Sequence, residues 1–456
     1  MTSDVPLLEQ VELWRAIPPP SGTELLDSAE ELTTYLASGD HLLAGLPPKP
    51  KRTQAEQSVA ASVLGAQRSA RTRFVSQHAE RIYDMLTEDR TLHRRLPDLV
   101  HAAAERFPGL APARDQIAAE RARPQSDKDG LEIDQGIFLR GILASPVAGT
   151  HLMDAMRMAT PRAMELLDTF RQDGVLEFDA LKLERHGNIA DLTFQNDHCL
   201  NAEDDQLIHD METAIDLVLL DDHVHVGVMR GGIMSHPRYR GKRVFSAGIN
   251  LRELHAGRIS FVDFLMGREL GYISKMIHGL LIDPDAPFNE GSLHKPWVAA
   301  VDSFAIGGGM QLVLAADWVV AADDAYFSLP AAQEGIVPGL GNLRLGRLTG
   351  SRLARRIILG GHRIRSAAPE AHLVCDEVVP AGNVGDVARA AALRLDNPAV
   401  VANRRMLSLA EEPRYALRTY LAEFAYEQAV RLYADDVLDK VGRSWSRPAH
   451  GQEGRP

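Results

Sequence analysis

The chain is short of cysteine, of positive charge and of long apolar runs. Only Cys199 and Cys375 stand in 456 residues, too few for a disulfide framework, so a reducing cytoplasm is the expected compartment. Lys and Arg number 50 against 62 Asp and Glu, a formal net charge of −12. That balance argues against a nucleic-acid partner or an anionic membrane surface, yet leaves room for a local basic patch gripping a phosphate-bearing small molecule. The longest apolar stretches are broken by Asp302, Asp317 or Asp323, and none reaches the length of a membrane span. The opening "MTSDVPLLEQ" has neither the basic nor the apolar part of a signal peptide. A soluble protein with no membrane partner is expected.

Several chemistries lack their residues. No G-x-S-x-G elbow is present, and neither cysteine has a histidine at a useful spacing; His198 precedes Cys199, but strand neighbours point to opposite faces. Both cysteines read as small hydrophobes. Gly307-Gly308-Gly309 is not G-x-G-x-x-G, so a dinucleotide site is poorly supported. His223-x-His225 would place two imidazoles on one strand face, yet only Asp221 and Asp222 are near in sequence. Without a full ligand set, no metal is expected.

With 45% hydrophobic and 25% charged residues, the chain has the profile of a globular protein. Residues 1–175 read as helices ("AERIYDML", "PDLVHAAAERF") between linker-like breaks: "PPPSG" at 18–22, "PPKPKR" at 47–52 and "RPQSDKDG" at 123–130. Thr160-Pro161 opens a further helix with Met164, Leu167 and Phe170 on one side. This part reads as an accessory or oligomerisation domain. The pattern changes near 178. "ALKLERHGNIADLTFQND" alternates about His186-Gly187-Asn188, a hairpin signature. A helix with Leu207, Met211, Ile215 and Val218 on one face follows, then a strand with Val224, Val226 and Val228 facing one way. Strand-turn-helix units recur to about 350, and an α/β layer core over 176–350 is expected. Residues 351–456 read as a helical, oligomerising segment ending in a polar tail.

The run "SFAIGGGMQL" at 303–312 carries the chemistry. Glycine weakens a helix or strand by roughly 0.5–1 kcal/mol per residue relative to alanine, so three in succession need a reason. A bare backbone lets a ligand approach, and the N–H groups at a helix start are unpaired and suit an oxyanion. "FSAGIN" at 245–250 offers a second such turn, with Gly248 before Ile249. Two of them, each after an apolar strand, can aim one N–H apiece at a single oxygen.

These motifs resemble the crotonase (enoyl-CoA hydratase/isomerase) superfamily. "LNAEDDQLIHDMETAID", "RVFSAGINL", "KPWVAAVDSFAIGGGMQLVLAADWVVAADDAYFSLP" and "EGIVPGLGNLRLGRLTG" fall in the family's order over roughly 178–375. The resemblance implies a spiral of ββα repeats, a homo-oligomer (trimer or hexamer) and an acyl-CoA thioester substrate. It also implies an oxyanion hole made by the N–H groups of Ile249 and Gly308, with Ala247, Gly248, Asn250, Gly307, Gly309 and Arg252 along the substrate. Hydratases of the family carry one glutamate just after the glycine run and another about twenty residues on. Here those positions hold Gln311 and Ala331, which cannot transfer protons.

These departures, with the long N-terminal region, resemble a branch of the family that oxidises an arylacetyl-CoA with O2 and uses no metal, flavin or haem. The resemblance then implies roles for Gln311, which can hydrogen-bond an oxygen without protonating it, and for Glu203 and Arg268. The last two read equally as a first-turn carboxylate and a solvated helix face. Ile336, Val337 and Leu340 become candidates for an apolar O2 pocket, and Lys242, Arg243 and Arg252 for contacts with CoA phosphates. A thioesterase or decarboxylase using the same oxyanion hole, or a scaffold without activity, are the alternatives.

Overall fold

A computed structural model describes residues 7–18, 22–287, 291–438 and 440; the expected polar tail lies outside them. The alternation around Gly187 becomes an antiparallel hairpin of β2 (Leu181–His186) and β3 (Ile189–Phe194), with His186 opposite Ile189. Preceded by β1 (Val175–Glu177), it starts a seven-stranded sheet in the order β1-β2-β3-β4-β7-β9-β12. Here β4 is Val226–Gly231, β7 Trp297–Val301, β9 Trp318–Ala322 and β12 Glu377–Val379. From β3 onward every neighbouring pair is parallel. The one-faced pattern expected of Val224, Val226 and Val228 does not hold. Gly227 and Met229 are as buried as the valines, because a parallel central strand is covered on both faces.

Two smaller sheets complete the strands among the described residues. One joins β8 (Phe304–Ile306), β10 (Tyr326–Ser328) and β11 (Ile364–Arg365); the other pairs β5 (Leu280–Leu281) with β6 (Ser292–Leu293). The helix Asp205–Leu220 is capped by Asp204, which accepts from the Leu207 N–H at 3.1 Å. It buries the expected Leu207, Met211, Ile215 and Val218. Thr160 caps Pro161–Asp173 as expected, but Met164 is 55% exposed while Ala163, Leu167 and Phe170 form the buried face.

By its contacts the chain forms two units: Met1–Ala155 with Ala256–Arg258 and Leu421–Ala434, and Met156–His255 with Ile259–Tyr420 and Asp435–Pro456. A division in chain order at 175 and 350 therefore differs from the packing, since the C-terminal segment is shared between the units. In the first unit the 33-residue helix Gln54–Leu86 is opened by a Thr53–Glu56 capping box and packs on Leu25–Ala44 and Leu131–Ala144. The polar stretch 123–130 is no loose linker. Gln125 and Lys128 are buried, and Lys128 Nζ donates to the Gly257 carbonyl at 2.8 Å.

Candidate active site

The two glycine turns meet. The Ser246 N–H donates to the Phe304 carbonyl at 3.4 Å and the Ile306 N–H to the Ser246 carbonyl at 3.0 Å, so the first turn lies alongside β8. Gly248 (φ 85°) and Gly307 (φ 54°) both adopt backbone that side chains disfavour. They also touch: a Cβ added to Gly307 would stand 3.3 Å from the Gly248 Cα. Gly307 then leads directly into the helix Gly308–Val313. Neither the Ile249 nor the Gly308 N–H has an acceptor among the described residues.

Glu203 is sewn to the first turn by its backbone. Its N–H donates to the Gly248 carbonyl at 2.7 Å, and its carbonyl accepts from the Asn250 N–H at 2.8 Å. Its side chain lies against the second turn, where a Cβ on Gly308 would stand 1.7 Å from Glu203 Oε2. Arg268 completes the constellation. Nη2 donates to Glu203 Oε1 at 3.0 Å and to the Gly308 carbonyl at 2.7 Å, while Nη1 donates to Gln311 Oε1 at 3.1 Å and Glu269 Oε1 at 2.9 Å. Arg268 is 3% exposed and Glu203 2%, which settles against a solvated helix face. Burial disfavours the charged guanidinium, but Glu203, with Tyr272 and Glu269, more than offsets it and holds Arg268 protonated.

Arginine only donates, so the amide oxygen of Gln311 must face Arg268 and its NH2 must face away. That NH2 has no acceptor among the described residues, and neither does Glu203 Oε2 have a donor. Beside the two glycine turns the site thus offers one amide donor and one carboxylate acceptor.

Sequence reasoning missed Glu269. An α-helix turns neighbours about 100° apart, so Arg268 and Glu269 should face different ways. Here Phe261–Met266 and Glu269–Ile273 are wide π turns, with non-helical backbone at Gly271, and both side chains reach one site. Two glycines in "GRELG" inside an apolar helix were the available signal. Burial pushes the Glu269 carboxyl above the usual carboxylate range, and Arg268 and Arg344 pull it back only in part. The Pro-Gly loop closes over it: a Cβ on Gly339 would lie 2.1 Å from Glu269 Oε1 and 2.6 Å from Gln311 Oε1. Behind the loop, Arg344 donates from Nε and Nη2 to Glu412 at 3.0 Å each, and Glu412 also meets His278 Nε2 at 3.2 Å.

The remaining candidates divide. Ala247 donates its N–H to the Leu200 carbonyl at 3.1 Å, and Asn250 Oδ1 accepts from the Glu253 N–H at 3.3 Å. Gly309 packs on Ser246, 2.7 Å from an added Cβ. Arg252 and Lys242 are exposed, whereas Arg243 is committed to the Gly231 carbonyl at 3.0 Å. Leu340 is fully buried, while Ile336 and Val337 are half-buried on the turn before it. Ala331 is buried and offers no titratable group; Glu334, at the end of the short helix Ala331–Glu334, has its carboxyl pushed up to about 7 by burial. Burial pushes the Cys199 thiol up to about 11 and Cys375 to about 12, so both stay protonated. Asp221, Asp222 and His223 place ligand atoms within 4.8 Å of one another, but Asp221 already pairs with Arg185; His225 Nδ1 meets Asp396 Oδ1 at 2.8 Å instead. Among the described residues no helix is long and apolar enough to cross a membrane.

Residues 291–427 match the enoyl-CoA hydratase/isomerase family. The chain is 56% identical over 403 residues to (3,5-dihydroxyphenyl)acetyl-CoA 1,2-dioxygenase of Amycolatopsis orientalis, across 88% of this chain and 92% of that protein. It is 27% identical over 262 residues to a probable enoyl-CoA hydratase of Rhizobium meliloti (strain 1021), across 55% of this chain and 92% of that one. Carnitinyl-CoA hydratase from Mycobacterium avium superposes with a TM-score of 0.47 at 24% identity, covering 60% of this chain and 99% of that structure.

Proposed function

The chain belongs to the enoyl-CoA hydratase/isomerase family, and we propose that within it the protein is a dioxygenase working without metal or organic cofactor. It converts 3,5-dihydroxyphenylacetyl-CoA and O2 to 3,5-dihydroxyphenylglyoxylate and CoA. The likeness to the Amycolatopsis enzyme over most of both chains supports the activity. The observation that carries the mechanism is the locked amide: where a hydratase keeps a titratable acid, Gln311 has its oxygen tied to Arg268 and only N–H to offer.

The α-carbon of the substrate lies between a thioester and an aryl ring, so its proton is acidic. Glu203 Oε2, free of donors and set against Gly308, takes that proton. The enolate oxygen receives the N–H groups of Ile249 and Gly308, aided by the partial positive charge of a helix start. The electron-rich enolate reduces O2, and a carbon–oxygen bond forms at the α-carbon. The peroxide oxygen attacks the thioester carbonyl and expels CoA thiolate; cleavage of the O–O bond with loss of the second α-hydrogen leaves the α-keto acid. One O2 is consumed per CoA released. Gln311 NH2 donates to a substrate oxygen, and Ile336, Val337 and Leu340 supply apolar surface for O2.

The same reading makes the protein a homo-oligomer, trimer or hexamer, in the cytoplasm. Exposed Leu348, Met406, Leu407 and Tyr415 in the C-terminal helices, the last 72% exposed, are surface that such an assembly covers. The deciding experiment supplies 3,5-dihydroxyphenylacetyl-CoA to chelator-treated protein in an oxygen electrode. Equal O2 uptake and CoA release are expected. CoA release under argon would instead make the protein a hydrolase, and activity restored only by iron would overturn the cofactor-free mechanism.

A further inference from the structure

Two buried carboxylates share one guanidinium beneath the oxyanion turns. Glu203 takes Arg268 Nη2, and Glu269 takes Nη1 on the other side, at 3.0 and 2.9 Å. We propose that Glu269 is a positioning residue of the reaction: by holding half of Arg268, it leaves Glu203 enough negative charge to remove the α-proton. The proposal rests on the enolate reading above and concerns the same site.

The argument is electrostatic. A guanidinium paired with a single carboxylate in a water-poor site stabilises that anion fully and makes it a poor base. Shared between two, it stabilises each less. Glu269 can play this part because its other supports are weak. Its Oε2 accepts no hydrogen bond, and Arg344 Nη1 approaches only to 3.8 Å while Arg344 is held by Glu412. The remaining polar groups around it are the Leu340 N–H, a neutral donor that favours the ionised carboxylate, Tyr272 on the same π turn, Gln311, and Tyr420, whose hydroxyl donates to the Gly339 carbonyl at 2.6 Å. None of these carries a second positive charge. The same contact fixes geometry, since the Nη1 that binds Glu269 also holds Gln311 Oε1.

The sign of the pH effect follows. Burial pushes the Glu269 carboxyl upward. As pH falls through that raised value, Glu269 takes a proton and Arg268 turns its whole charge on Glu203. Proton abstraction then slows. An E269Q chain is fixed in the slow form at every pH.

The test follows exchange of the substrate α-hydrogens into D2O under argon by proton NMR, from about pH 5 to 9, a readout that needs no oxygen chemistry. The wild type is expected to exchange and to slow on an acidic limb above the usual carboxylate range. E269Q should keep the wild-type melting temperature, exchange at least about tenfold more slowly at neutral pH and lose that limb, while E269D, which keeps the charge, retains much of both. E334Q is the control for another carboxyl that burial raises and should keep the limb. E269Q with the wild-type rate and limb overturns the proposal, as does loss of the limb in E334Q. Should E269Q not fold, a flat wild-type profile overturns it without any variant. A wild type that exchanges nothing sinks the enolate reading itself, whereas exchange that ignores Glu269 sinks only the role given to Glu269.

Discussion

At the scale of single residues, Gln311 is what separates the proposed site from that of a water-adding enzyme. The fixed direction of its amide yields a prediction. In Gln311→Glu the carboxylate would be a third anion around Arg268, and once ionised it has no N–H for the substrate. A hydrogen bond to a charged group contributes about 1.5–3 kcal/mol, so O2 uptake should fall by about tenfold or more. The variant should still not hydrate an enoyl-CoA, because Ala331 leaves the second acid position empty; loss of the enoyl absorbance would show that one acid suffices. Unchanged O2 uptake would remove Gln311 from the site. Gln311, Ile249 and Gly308 were legible in the sequence as candidates, because glycine turns and an amide in place of an acid are local signals. Glu269 was not. Its place depends on a π turn, which side-chain periodicity does not report, and on Gly339, distant in the chain, leaving room for its carboxylate.

At the scale of elements, the Pro-Gly loop and the helix Gly341–Ile358 are braced by Arg344 against Glu412, just past the helix Pro398–Glu411. Burial raises the Glu412 carboxyl, but Arg344 and then His278 lower it further, and it ends well below the usual carboxylate range. Because the folded value lies below the unfolded one, the stabilisation is present above the unfolded value, about pH 4.3, and is lost as pH falls from there. Glu412→Gln leaves a buried arginine without its counter-charge, a loss of about 3 kcal/mol or more at neutral pH. Melting curves over a pH series check this: the gap between wild type and variant should narrow in acid, and a constant gap would mean that charge is not its source. Long elements were readable, among them the hairpin about Gly187 and the helix Asp205–Leu220. The short β5, β6 and β11 were not, since two residues carry no period. The partner of β12 is β9, reached across more than fifty residues, and no local pattern announces such a pairing.

At the scale of the whole molecule, the chain returns to its beginning. The helix Arg414–Leu432 crosses from one unit to the other at Leu421. Its later part buries Leu421, Phe424, Ala425, Ala429 and Leu432, each 3% exposed or less. The fit is close, since a Cβ on Gly136 would stand 2.7 Å from the Ala425 carbonyl oxygen and 2.8 Å from the Ala429 Cβ. Arg140 pairs with Glu423 at 2.7 Å, and its guanidinium lies 5.0 Å from the Tyr426 ring centre. Sequence order hid this, because a helix closing a distant core has the same apolar period as one closing its own. The alignment with the dioxygenase takes in most of residues 1–175, whereas that with the hydratase covers little more than half the chain. Most of the N-terminal region is thus shared with the dioxygenase relative. Removing Met1–Ala155 should strip the cover from the end of this helix, and each large apolar side chain so exposed costs about 1.5–3 kcal/mol. A 156–456 fragment is accordingly expected to self-associate, with light scattering coupled to size exclusion as the measure. Cutting 421–456 from that fragment as well should reduce the association, because the uncovered apolar face leaves with it. A 156–456 fragment that runs at the wild-type assembly state and melts cooperatively would show that the helix does not need the first unit.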